Sequence, residues 1–266
     1  MNRSIIFVFL GGSILLFGII ILSPWNVGAF FNIPGLIVVI GGTLAATLIS
    51  RPVSEVQALW RRVPQLFRKE ASTINNDIEQ LLQFAERYRF SSPRSAERAL
   101  AAISSPFLSV GLRQTVEGSS PEDLSKSLQW RIAGVRSQEN AQTQIMYSMA
   151  TFAPAFGMLG TLFGLVHMLS GIGDSGLNEI GGSMAFAMLT TVYGIVAANL
   201  VFKPLAIKLE RRTGRHLMEM TALMEGILQV HDKRHPTLIR ETLESYYSHF
   251  QAPEPVPSHL TLVKAA

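Results

Sequence analysis

Between Asn140 and Gly173 the chain carries no Asp, Glu, Lys or Arg. That run exceeds the roughly 20 residues an α-helix needs to cross a hydrocarbon core. Within it, Ala153 to Leu169 reads APAFGMLGTLFGLVHML, a spanning helix with a proline, three glycines, a threonine and a histidine that a plain anchor has no use for. Pro154, Met158, Thr161 and Leu165 recur at helical spacing and share one face, and Gly157, Gly160 and Gly164 lie beside it, where another backbone can approach closely. Two readings of Thr161 stand side by side: a hydroxyl shown to partner helices, or a side chain bonded to its own backbone.

Three further apolar runs frame this one. Ser4 to Leu22 follows Arg3 and is too long for a signal-peptide core, so it reads as a retained membrane helix. Ile33 to Ser50 forms a second crossing that ends at Arg51 and Pro52, and about Gly182 to Phe202 forms the fourth, ending at Pro204. Lys and Arg number 13 between Arg51 and Gln144 and 9 after Phe202, with none in Pro24 to Asn32 or Gly171 to Gly181. The positive-inside rule then predicts four crossings in two hairpins, with both termini and the long middle segment in the cytoplasm. The formal charge of +4 is thereby used up on cytoplasmic loops, and no nucleic-acid partner is implied.

The predicted fold class is all-α: a polytopic membrane protein with four transmembrane helices and a helical cytoplasmic domain. Its segments are a transmembrane hairpin over 1–50, cytoplasmic helices over 51–144, a second hairpin over 145–203, further cytoplasmic helices over 204–250 and a disordered tail over 251–266. Glu55 to Phe67 places Val56, Leu59, Trp60, Val63 and Phe67 on one apolar face, and Thr73 to Arg87 does the same with Ile74, Ile78, Leu81, Leu82 and Ala85. Ser120, Pro121, Glu122 and Asp123 spell a helix start, from which one helix runs into the third crossing. After Pro204, Leu205, Leu209, Leu217, Met220, Leu223 and Ile227 extend the fourth crossing as an amphipathic helix, and Pro236 to Phe250 forms the last one.

The chain has no cysteine, no phosphate-binding loop, no dinucleotide glycine pattern and no nucleophile elbow, and its six histidines are not spaced to hold zinc. An enzyme of familiar type and a resident cofactor are not expected. No crossing contains an acidic or basic residue, although ion passage through a membrane usually needs a titratable group inside it. If the chain conducts an ion, the carboxylate comes from a second polypeptide. Hydroxyls remain as oxygen ligands: Thr161 on the third crossing and Thr190 and Thr191 on the fourth lie at similar depth in an antiparallel hairpin, and hard cations such as Na+ prefer oxygen. Pro154 permits a kink, and Pro204 reads equally as a kink or as a helix break at the membrane surface.

At these residues the chain resembles the MotA/PomA family of flagellar stator proteins over nearly its whole length. The resemblance is carried by IVVIGGTLAA in the second crossing, a cytoplasmic insert of about ninety residues, APAFGMLGTLFGLVHML, and AMLTTVYGIVAANLVFKPLAIKLERR. It implies an inner-membrane homopentamer around a dimer of MotB/PomB-type subunits, whose single spanning helix carries the ion-accepting Asp. It also implies torque on the rotor protein FliG through charged residues. Pro154 and Pro204 match the family prolines, and Thr161, Thr190 and Thr191 match hydroxyls linked to sodium in PomA-like members. Na+ is therefore favoured over H+ as the transported ion. The rotor-facing charges fall in AERYRFSSPRSAERAL, with Arg87 or Arg89 and Glu97 as candidates; the alternative is that they are ordinary solvated helix charges. A TolQ/ExbB-like energiser of envelope machinery shares the channel core but characteristically has three crossings, which the Ser4 to Ser50 hairpin opposes. A non-conducting membrane scaffold is the remaining rival.

Overall fold

The computed structural model of the chain describes residues 30–67, 74–90, 93–171 and 176–251. Among them every regular element is helical and there is no strand. Helix α1 (Ile33–Ser50) follows Asn32, whose side-chain oxygen accepts the Gly35 amide at 2.9 Å and so caps the helix start. A π-helical turn, Ile37–Gly41, interrupts α1, and just past it the Thr43 hydroxyl donates to the Val39 carbonyl of that turn at 2.6 Å. Helices α2 (Val53–Arg62), α3 (Ile74–Phe90), α4 (Pro93–Leu100) and α5 (Pro106–Val116) follow.

Helix α6 runs unbroken from Pro121 to Ser170, 50 residues, with Pro154 inside it. Its start is set by a turn in which Gly118 takes φ 78°, a left-handed conformation natural for glycine, and by Ser120, whose hydroxyl accepts the Asp123 amide at 3.1 Å. Helix α7 (Leu177–Val196) continues through a π turn, Ala197–Phe202, into α8 (Lys203–His231). Pro204 therefore does not end the helix. The π turn just before it changes the hydrogen-bond register where proline offers no amide, and the Asn199 side chain donates to the Ile195 carbonyl at 3.1 Å. Helix α9 (Pro236–Gln251) is the last described element.

Among the described residues three stretches are long and apolar enough to cross a membrane: Ile33–Ser50, Pro121–Ser170 and Asn178–His231, the last two by their apolar portions. The expected first crossing, Ser4 to Leu22, and the expected disordered tail beyond Gln251 lie outside the described residues.

The chain divides into two compact units. One holds residues up to 70 with 137–214, and its core gathers Val56, Leu59, Ile145, Met146, Met149, Ala206 and Leu209. The other holds 71–136 with 215–266, and its core is built on Leu81, Leu108, Leu112, Leu124, Leu128, Ile227, Ile239 and Leu243, all fully buried. Fully burying a leucine or isoleucine contributes about 1.5–3 kcal/mol, so eight such side chains are enough to organise a small helical domain. The expected apolar face of α3 is present, with Ile74, Leu81, Leu82 and Ala85 buried and Phe84 added. On α2 the expectation needs correction. Val56 and Leu59 are buried, but Trp60 is 48% exposed, because one residue past Leu59 is a turn of 100° that carries it off the packed stripe.

Candidate functional site

The first unit brings α6 and α7 together along small residues. A Cβ added at Gly157 would meet the Thr190 carbonyl oxygen at 3.0 Å, one at Gly160 the Thr190 side chain at 2.7 Å, and one at Gly164 the Ser183 carbonyl oxygen at 2.9 Å. From the other side, a Cβ at Gly194 would sit 2.6 Å from the Ala153 carbonyl oxygen and 3.1 Å from Pro154 Cα. The glycines let the two backbones approach to a distance no side chain permits, which is how helices associate where water supplies no driving force. Pro154 stands at this closest approach, opposite Gly194. Helix α1 joins at Gly35, whose added Cβ would meet Thr190 Cγ2 at 3.0 Å.

This packing converges three hydroxyls. Thr161 Oγ1 and Thr191 Oγ1 are 2.5 Å apart. Thr161 Oγ1 also lies 3.1 Å from the Gly157 carbonyl oxygen and 3.1 Å from that of Ala187. Thr190 is fully buried between Gly35 and Gly160 and donates to the same Ala187 carbonyl at 2.8 Å. The two readings of Thr161 thus both apply: it bonds its own helix and reaches across to the next. The result is a knot of oxygen atoms, two hydroxyls and two carbonyls with a third hydroxyl attached, set in helices without a formal charge at this depth. Such a group can offer hard ligands to a cation or pass a proton between hydroxyls, but it supplies no negative charge. Beside it Met158 is 61% and Leu165 40% exposed, so of the face that carries Pro154, Met158, Thr161 and Leu165 the part at Met158 and Leu165 is open in the single chain, while Pro154 and Thr161 pack on α7.

Tyr193 belongs to the same layer. Its hydroxyl donates to the Phe30 carbonyl at 2.5 Å and accepts the Asn32 amide at 2.8 Å. These are backbone groups just before α1, outside the helix ladder, and in apolar surroundings each needs a partner. The polar Asn32 ahead of a spanning helix is the signal in the sequence that a hydrogen-bonding partner is required there. The two carbonyls of the oxygen knot carry no side-chain signature at all.

Pro204 is exposed at the start of α8. Arg87 and Arg89 lie in the last turn of α3 and Glu97 on α4, all three exposed and all in the second unit. In the first unit the Arg62 guanidinium pairs with the largely buried Glu139 at 3.3 Å, and the Tyr147 hydroxyl donates to Glu210 at 2.8 Å. Among the described residues no three His, Asp or Glu side chains cluster to hold a metal ion.

Residues 99–222 match the model of the MotA/TolQ/ExbB proton channel family. YtxD of Bacillus subtilis (strain 168) is 30% identical over 220 residues, spanning 83% of this chain and 80% of that protein. The chain belongs to the MotA/TolQ/ExbB proton channel family. Motility protein A of Borreliella burgdorferi is similar at 29% identity, over 86% of this chain and 89% of that protein. A solved structure of MotAB from C. jejuni shares the fold, with a TM-score of 0.82 at 20% identity over 94% of this chain and 97% of that chain. The resemblance drawn from the sequence and the all-α membrane fold both stand. Membership of a channel family, not an enzyme family, sets the oxygen knot of α6 and α7 in a chain of the MotA/TolQ/ExbB kind with three described helices able to span a bilayer.

Proposed function

We propose that the chain is the A-type subunit of a flagellar stator, which with a MotB/PomB-type subunit forms a cation path and converts ion flow into torque. The observation that carries this reading is the oxygen knot of Thr161, Thr191 and the Ala187 carbonyl, set in the charge-free stretches Asn140 to Gly173 and Ile180 to Phe202, which hold no carboxylate. A path of this kind is half a site, and a single-span partner bearing an acidic residue completes it on the open face of Met158 and Leu165. Relatives named motility protein A and a solved complex titled MotAB support the same two-component arrangement.

In this reading the chain sits in the bacterial inner membrane with both termini in the cytoplasm, and five copies surround a dimer of the partner. Thr161, Thr190 and Thr191 line the ion path. Pro154 and Pro204 allow the spans to flex as the ion passes. Arg87, Arg89 and Glu97 face the rotor protein FliG, where exposed charges act by steering and docking and add little to stability. Sodium is the favoured ion, because hydroxyl and carbonyl oxygens suit a hard cation. Replacing sodium by potassium at constant proton motive force tests this: rotation stops if sodium is the coupling ion, and continued rotation assigns the path to protons.

A further inference from the structure

Helix α2 starts at Val53, directly after α1 ends at Ser50, with Pro52 in extended conformation (φ −57°, ψ 137°) making the bend. Its inner face is held: Val56, Leu59 and, in the next turn, Leu66 pack with Ile145, Met146, Met149 and Leu209. Its outer face is not covered. Val53 and Trp60, seven residues apart and so on one stripe, are 54% and 48% exposed. The charges are sorted to match. Arg62 is turned to Glu139 at 3.3 Å, and Glu55 has a carboxylate oxygen shielded from solvent, whereas Arg61 is exposed beside Trp60. Arg51 precedes the helix, and Arg68 and Lys69 follow in the sequence.

A helix fixed to the end of a membrane span, with tryptophan outward and cationic side chains next to it, has the composition of one lying in the headgroup layer. Indole is apolar in body with one N–H to give, and guanidinium matches the phosphate oxygens of a headgroup. We propose that α2 is a binding strap for anionic phospholipid, with Val53 and Trp60 at the acyl boundary and Arg61 and Arg51 on headgroup phosphates. The inner face of α2 packs with Ile145, Met146 and Met149 midway along α6 and with Leu209 near the start of α8, so lipid charge is felt where the apolar stretches of the channel helices begin. This goes beyond the stator reading and requires only that α1 crosses a bilayer, whichever ion is carried.

The test uses the full chain with Trp25→Phe and Trp130→Phe, which leaves Trp60 as the single tryptophan. The protein is reconstituted in phosphatidylcholine vesicles containing a minority of phosphatidylglycerol, with bromine on the acyl chains of one lipid or the other. Each cation at an anionic surface is worth about 1 kcal/mol, or about fivefold. Quenching per brominated lipid is therefore expected to be several-fold stronger for phosphatidylglycerol, and to equalise with added salt. Arg61→Gln should lower that preference while quenching by brominated phosphatidylcholine persists, which also shows that the variant has inserted. Equal quenching by the two lipids in the parent protein overturns the proposal. So does absence of quenching by both, which would place Trp60 under a second copy of the chain or another protein. Loss of the preference to inorganic phosphate, at an ionic strength where chloride leaves it intact, would assign the cations to free phosphate and equally overturn it.

Discussion

Replacing Gly194 by alanine puts a methyl group where α6 and α7 are closest. The new Cβ would lie 2.6 Å from the Ala153 carbonyl oxygen, 3.1 Å from Pro154 Cα and 3.2 Å from Gly157 Cα. All three are backbone atoms, so no side-chain rotation relieves the overlap. To restore the 3.4 Å of an ordinary contact the helices must part by about 0.8 Å. The same displacement carries Thr191 Oγ1 from 2.5 Å to beyond 3 Å from Thr161 Oγ1, outside the usual O–H···O range of about 2.5–3.0 Å. Overpacking of this kind costs about 1–3 kcal/mol. Gly181→Ala is the control, since nothing lies within 4 Å of its added Cβ. Both variants are purified with the partner subunit, and thermal unfolding in detergent and cation flux in vesicles are measured on the same preparations. Gly194→Ala should lose stability by that amount and flux by about tenfold or more, while Gly181→Ala loses neither. A Gly194→Ala protein with unchanged flux would refute the claim that the Thr161 to Thr191 spacing matters for conduction.

Tyr193→Phe leaves the Phe30 carbonyl and the Asn32 amide without their shared partner, and should cost about 1–3 kcal/mol of unfolding free energy, seen as a lower melting midpoint, while the oxygen knot stays intact. Leu112→Ala, at a fully buried position of the second unit, should cost about 2–5 kcal/mol by the same measurement, leaving insertion of the spans unaffected. Burial raises the Asp77 carboxyl above its ordinary value, so the folded state holds its proton more tightly than the unfolded chain does. Stability is therefore lost as pH rises from the ordinary carboxylate range through the folded value. Asp77→Asn should be more stable than the parent at neutral pH, and the difference should shrink as pH falls toward that range in a pH series of melts.

The spans were legible because the bilayer imposes so simple a demand: a charge-free run such as Asn140 to Gly173 has few other places to go. The pairing of Thr161 with Thr191 was legible too, since two antiparallel helices joined by a short turn place equal depths opposite each other. What side-chain pattern cannot show is backbone. The Gly157 and Ala187 carbonyls in the oxygen knot have no sequence signature, nor do the π turns at Ile37–Gly41 and Ala197–Phe202, which depend on how the hydrogen-bond ladder slips. Pro204 illustrates the point, for its rule predicts a break or a kink and the preceding π turn absorbs it. Trp60 failed for another reason. Hydrophobicity alone placed it inward with Leu59, yet at the end of a membrane span an indole is equally at home facing out.

The account turns on a cation path that lacks its own anion. Cation flux should be measured in vesicles containing the purified chain alone, and in vesicles containing it with a single-span partner that carries an acidic residue in its membrane helix. The account predicts a sealed bilayer in the first case and coupled flux in the second, abolished when that acid is made an amide. Sustained coupled flux through the chain alone would contradict it.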